Sequence, residues 1–562
     1  MKKINVILLS AASVMLMTAC SSKLGALSSD NFKVNPKPLE TRGGHVEATV
    51  DGVFPEKYMH RKAVVKVTPE LRYTDANGQQ QVERAAASTF QGEKVMGNDR
   101  VISYKLGGHY AMKPDFVFKP DMMKSELWMT FTARVGNKMV EVPAVKVAEG
   151  VKATSELYRK TLVGTAPALA ADSFQRISHV KQEANIRFLV AQTQLRKSEL
   201  QSTSVTDFLR LLTQINNERE SMVLNNIEVS AYASPEGTFT VNNRLASGRQ
   251  EVSEQFVRQQ LNAAKLNTHI DTRYTAEDWE GFQQLVRASN IQDKEVILRV
   301  LSMYDDPEER EQQIRNMSEA FRELSEGILP ELRRARLIAN YEVVGRSDEE
   351  IRQQMKSDPT RLTVEEMLYA ATLTNDLDEQ QNIYQEVVKE YAADARAYNN
   401  IGRIYYMKGN YDRARKFFQQ ALTIDSKLDE ANANLGLLEL LNGNVSEAQN
   451  YIAKASGSQA AAEAVGVLHL AQGNYALAEQ DFGEVASNNA ALAQILNRNY
   501  TKAEQTLGKV EAKDAMTDYL RAVLYARKGN KGVAGTFLRS AISKDPALEA
   551  FAKRDLELLN VR

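Results

Sequence analysis

The strongest constraint in the sequence is a spacing of thirty-four residues near its C-terminal end. From Ala395 onward, Tyr398, Ile401, Gly402, Tyr405, Gly409, Tyr411, Ala414, Phe418 and Ala421 mark one unit. Asn432, Leu435, Gly436, Gly443, Ala448, Ile452 and Ala455 repeat it one period later. Leu368, Leu377, Tyr384 and Val387 form a weaker copy one period earlier. Shifted units follow at Gly466, Gly473, Tyr475, Ala478 and Phe482, at Tyr500, Ala503 and Leu507, and from Ala522 to Pro546. A fixed period of this length means stacked supersecondary units, each burying a face that its neighbour leaves open. Small residues such as Gly402 and Ala414 let two helices approach, and Tyr405 and Phe418 fill the groove to the next pair.

The pattern resembles the tetratricopeptide (TPR) repeat, which places a TPR solenoid over 360–558. Such arrays form curved surfaces that grip extended peptides or partner domains. The resemblance implies a clamp of Lys, Arg and Asn side chains on the first helix of each pair. Asn399 and Arg403, four apart on one face, and Asn434 are the candidates here. The alternative for all three is a solvated surface.

With 562 residues, the chain exceeds what one hydrophobic core supports. Hydrophobic residues make up 43% and charged residues 25%, as in ordinary globular protein. The formal net charge of −1 gives no general attraction to nucleic acid. The single cysteine rules out an intramolecular disulfide and multi-thiolate metal sites.

That cysteine is Cys20. Lys2 and Lys3 precede an apolar stretch, Ile4 to Met17, that is too short to span a bilayer. The stretch reads as a signal peptide over 1–19. Met17-Thr18-Ala19-Cys20 resembles a bacterial lipobox, which implies acylation of Cys20, anchoring on the outer membrane and a tether over 20–33. Ser21-Ser22-Lys23 lacks the acidic character of surface-export signals, so the chain is expected to face the periplasm.

Residues 34–152 read as a β-sandwich. Ala63 to Val67 and Val101 to Leu106 are strand-like, and Leu127, Met129, Phe131, Ala133 and Val135 alternate onto one face. His45, His60 and His109 have no metal-ligand spacing. A linker is expected over 153–179.

Residues 180–346 alternate strand and helix. Strands are expected at Ile186–Val190, Val223–Ala233 and Arg336–Val344. Phe208, Leu211, Leu212 and Ile215 mark one helix, and Leu245, Val252 and Phe256 another. The order indicates an α+β domain. Ile227 to Leu261 resembles the OmpA-like, peptidoglycan-binding family: Asn242, Leu245 and Arg249 fall in register, and Gly237 aligns. In that family an aspartate and the arginine hold the ammonium and carboxylate of diaminopimelate, which suits a zwitterion. The aspartate position falls on Ser234, with Glu236 two residues away as a substitute. The wording around Tyr232–Gly237 and Leu329–Ala335 is similar to that of OmpA-like proteins of Bacteroidota.

Asp305-Asp306-Pro307-Glu308-Glu309-Arg310 reads as a helix start, not an EF-hand, because the alternating ligands and central glycine are missing. No G-x-S-x-G elbow, H-E-x-x-H, P-loop or G-x-G-x-x-G after a strand occurs. The expectation is a non-enzymatic, cofactor-free envelope scaffold that binds partner proteins through its repeats. A peptidoglycan-binding wall tether is the alternative.

Overall fold

The computed structural model describes residues 24–291, 294–316, 322–455, 461–511 and 513–561. The signal-peptide and Cys20 expectations lie outside these residues. The chain divides into two compact units. One joins the residues up to Ala171 with those from Thr374 onward, and the other is Asp172–Leu373.

The first unit contains three sheets and an all-helical array. The largest sheet centres on Ala63–Thr74, paired antiparallel with Glu126–Val135 in the register Leu127↔Leu71 and Val135↔Ala63. Leu127, Met129 and Ala133 are buried, while Phe131 and Val135 pack at the core's margin. The strand expected at Val101–Leu106 covers only Arg100–Ile102. A turn through Gly107, at φ +69°, then reverses the chain and leaves Leu106 exposed.

The expected tether is also folded along most of its length. Leu24 and Leu27 are buried in the sheet core, and Phe32–Asn35 pairs with Thr49–Phe54. Two leucines spaced three apart gain more from burial than from exposure on a linker.

The array runs from Leu377 in antiparallel helix pairs, among them Ala395–Met407 with Tyr411–Ile424 and Asp429–Asn442 with Val445–Ile452. The small residues are obligatory. A Cβ on Gly402 would lie 2.7 Å from Phe418, one on Gly436 2.3 Å from Ile452, and one on Gly466 2.6 Å from Phe482.

Helix Val364–Thr372, expected as the start of the repeats, belongs to the other unit. Glu366 on this helix accepts from Arg346 at 2.8 and 2.9 Å, and Tyr369 stacks on Phe174 at 4.5 Å. These contacts outweigh the weak repeat signal at Leu368.

Within the first unit the sheets meet the array directly. Arg42 Nε donates to Gly473 O at 3.0 Å, Thr154 Oγ1 donates to Glu557 at 2.9 Å, and Arg554 pairs with Asp121 at 3.2 Å.

The second unit is α+β. Its sheet runs in the order Ile177–Arg187, Arg334–Val344, Met222–Tyr232, His269–Thr275, with only the last pair parallel. Helices Thr203–Asn217 and Phe239–Ala263 contribute Phe208, Leu212, Phe256 and Val257 to its core. The first strand begins nine residues before the expected Ile186 and ends before Leu189 and Val190, which are exposed. Ala191, at φ +57°, turns the chain there.

Candidate functional site: an occupied groove and a buried arginine

Amphipathic spacing places one face of each first helix of the array inward. On that face stand asparagines that helix propensity disfavours. Asn399, Asn400, Asn434 and Asn489 are all buried. Their partner is the chain itself. Residues 154–171, within the expected linker, run along this inner face, and Leu157, Tyr158 and Leu162 join the array's core.

The grip is on the main chain. A carboxamide offers one donor and one acceptor side by side, the complement of a peptide unit. Asn400 Oδ1 accepts from Ala170 N and its Nδ2 donates to Ala170 O, both at 2.9 Å. Asn434 does the same for Ala168, at 2.7 and 2.9 Å. Asn399 Nδ2 adds a second donor to Ala168 O at 3.1 Å, and Asn399 Oδ1 accepts from Asn434 at 3.0 Å. Arg403 Nε donates to Pro167 O at 2.9 Å, and Tyr406 Oη to Leu162 O at 3.0 Å. Burial lowers the Arg403 pKa and raises that of the Tyr406 hydroxyl. Asn489 Nδ2 donates to Thr165 Oγ1 at 2.7 Å, and Thr161 Oγ1 donates to Asn489 Oδ1.

Asn399, Arg403 and Asn434 are therefore brought together, on backbone carbonyls and amides rather than on a terminal carboxylate or in solvent. Sequence reasoning missed Asn400, Asn489 and Tyr406. The adjacent pair Asn399-Asn400 inside a helix was the available signal.

Glu463 supports Asn489 from behind, accepting from its Nδ2 at 2.7 Å and from Ser487 Oγ at 3.2 Å. Burial dominates over these bonds and holds its carboxyl above the usual range, as it does for Asp555. A carboxyl whose folded pKa exceeds its unfolded value stabilises fully below the unfolded value. That contribution is lost as pH climbs through the folded one. On this account the first unit's thermal midpoint falls as pH rises above about 4.5. Glu463→Gln should flatten that slope, leaving the shares of Asp555 and Glu156, whose carboxyls burial also raises. Calorimetric scans of both proteins from about pH 4.5 to 8 check it, and parallel slopes would contradict it.

In the second unit, Ser234, Glu236, Gly237, Asn242 and Arg249 also converge. Asn242 Nδ2 donates to Gly237 O at 2.7 Å and closes the turn. Ser234 Oγ donates to Glu236 Oε1 at 2.9 Å. The cation facing Glu236 is Arg333, absent from the sequence-derived set. Its Nε and Nη2 reach the two carboxylate oxygens at 2.9 and 3.2 Å. Arg333 lies in the run Leu329–Ala335, where only the family wording stood out.

Arg249 is 1% exposed, and three of its nitrogens are spent on main-chain carbonyls. Nη1 donates to Tyr232 O at 2.9 Å, Nε to Gln192 O at 3.1 Å and Nη2 to Leu189 O at 3.3 Å. The guanidinium also lies 5.2 Å above the Phe188 ring. Burial, with Arg333 nearby, pulls its pKa down to about 10, so it stays charged at neutral pH.

The tetratricopeptide repeat family profile matches residues 395–428. No curated protein sequence matches the chain. Among solved structures, a tetratricopeptide repeat protein from Parabacteroides merdae is 18% identical over 38% of this chain and 91% of that one, with a TM-score of 0.28. YrrB, a TPR protein with an unusual peptide-binding site, is 20% identical over 37% and 100%, with a TM-score of 0.21. Yeast Tom70 is 14% identical over 65% and 84%, with a TM-score of 0.25. At these scores none of them bears on what this chain binds.

Proposed function

We propose that this protein is a non-catalytic, lipid-anchored scaffold of the bacterial outer membrane, facing the periplasm, whose TPR array organises partner proteins. One observation carries the reading. The array already holds a polypeptide main chain through paired carboxamides, and that chain is its own residues 161–170. Because the inner face is occupied, partners meet the remaining surface of the array, and the held segment stiffens it.

The anchor rests on the lipobox-like run ending at Cys20. No described helix is long and apolar enough to cross a membrane. Four residue steps separate Cys20 from Leu24, where the folded sheet core begins, so acylation would hold that core within about 14 Å of the bilayer surface.

Fatty-acid labelling in cells is expected to mark the wild type and not Cys20→Ser, with the variant moving to the soluble fraction. Unlabelled wild-type protein in that fraction would overturn the anchor. Sedimentation of the purified chain with cell-wall sacculi separates the two functions. The scaffold predicts no retention, and cross-links to envelope proteins from residues 377–558. Saturable retention on sacculi favours a peptidoglycan tether through the OmpA-like region. The commitment of Arg249 to main-chain carbonyls supports the scaffold over that tether.

A further inference from the structure

Within the first unit, a cavity of about 640 Å³ opens between the strand Leu39–Arg42, the end of the strand Val151–Lys152 and the turn ends of the array's helix pairs. Its size suits a small ligand or the end of a peptide. Arg42, Lys152, Tyr475, Arg498, Tyr500 and Arg527 contribute to its walls.

Two of these cations are neutralised. Arg527 pairs with Glu557 at 2.6 Å, and Lys152 lies 3.7 Å from Glu40. Arg42 spends only its Nε, on Gly473 O, while its guanidinium lies 5.8 Å from the Tyr475 ring centre. The Arg498 side chain makes no hydrogen bond or ion pair to any described residue. Against these two stands Glu47, also on the wall, so the unpaired charge is positive by one.

The backbone at Arg498 is the second, independent observation. Each helix pair turns through one left-handed residue just before the asparagine that starts its second helix. At four of five such turns that residue is glycine: Gly409, Gly443, Gly473 and Gly529, with φ between +74° and +81°. At the fifth, before Asn499, it is Arg498 at φ +64°. A side chain with a Cβ is strained in this region, and such strain gathers at functional sites. Among the repeat turns near the cavity, the one at Arg498 carries a guanidinium where its siblings Gly473 and Gly529 carry none.

We propose that this cavity is a binding site for an oxyanion, the carboxylate or phosphate of a small ligand or peptide end, held by Arg42 and Arg498. Two guanidinium forks give bidentate donors to either group. Tyr475 and Tyr500 add aromatic surface to the wall.

The test is calorimetric titration of the full chain with inorganic phosphate, with citrate, and with an acidic tetrapeptide in free and C-terminally amidated forms. Saturable one-site binding of at least one probe is expected, and it should weaken as NaCl is raised. The probe that binds separates phosphate from carboxylate, and the two peptides separate a chain end from a side chain. Arg498→Gly and Arg42→Gln should each weaken binding at least tenfold with the circular dichroism spectrum unchanged. Arg498→Gly should also leave the thermal midpoint no lower, because glycine is at ease at that φ. Arg498→Asn, also tolerated there, gives the same answer if the glycine variant folds poorly. No saturable binding of any probe, or binding that survives loss of Arg498, overturns the proposal.

Discussion

Asn400→Ala is expected to cost the first unit about 4 kcal/mol, from two orphaned buried groups at roughly 1–3 kcal/mol each. Ala170 is buried, and both its N–H and its C=O are satisfied by the Asn400 carboxamide. Alanine at 400 leaves both buried without that partner. Asn434→Ala should cost less, because Ala168 O keeps its bond from Asn399 Nδ2. Asn400→Asp separates shape from chemistry. It preserves the acceptor for Ala170 N, but sets a second oxygen against Ala170 O, so it should be no milder than alanine. Urea denaturation gives the energies, and hydrogen exchange at Ala168 and Ala170 reports whether the segment leaves the groove. A loss below about 1 kcal/mol with unchanged exchange would mean the held segment contributes little.

That result would bear on how far the sequence reveals the fold. The repeat was legible because its information is local. Gly402, Gly436 and Gly466 recur where a Cβ would collide with Phe418, Ile452 and Phe482. The held segment was not legible, because its partners lie 230 or more positions away and its own residues carry no period. Only the cost of asparagine inside a helix pointed to it. The strand Ile177–Arg187 was misplaced for a related reason. Only Ala184 and Ile186 in it are fully buried, so alternation is faint, and its place is fixed by backbone pairing with Arg334–Val344. Likewise, the motif that aligned Arg249 with a ligand-binding arginine was visible in sequence. What Arg249 touches was not, since the turn Leu189–Gln192 and Tyr232 lie about 40 or more positions apart in the chain, and nothing local marks either as its partner.

Arg249→Ala should therefore act on stability before it acts on any ligand. Three carbonyls each lose a charged donor, although Leu189 O keeps the Gln192 N–H at 3.2 Å, and the Phe188 ring loses its cation. Hydrogen bonds from a charged donor are worth about 1.5–3 kcal/mol each, partly offset because the buried charge itself is removed. The expected net loss is about 3 kcal/mol, confined to the second unit and read as an earlier transition in urea followed by Trp279 fluorescence. Glu236→Gln provides the contrast. It weakens the ion pair with Arg333, whose partner carboxylate is partly exposed, so its cost should stay near 1 kcal/mol. If Arg249 served a diaminopimelate carboxylate, the order would invert. Arg249→Ala would leave the urea transition in place and abolish retention on sacculi, because a guanidinium kept for a ligand does not hold two main-chain segments together. A variant that unfolds early, beside a wild type that sacculi do not retain, assigns Arg249 to the architecture of the second unit.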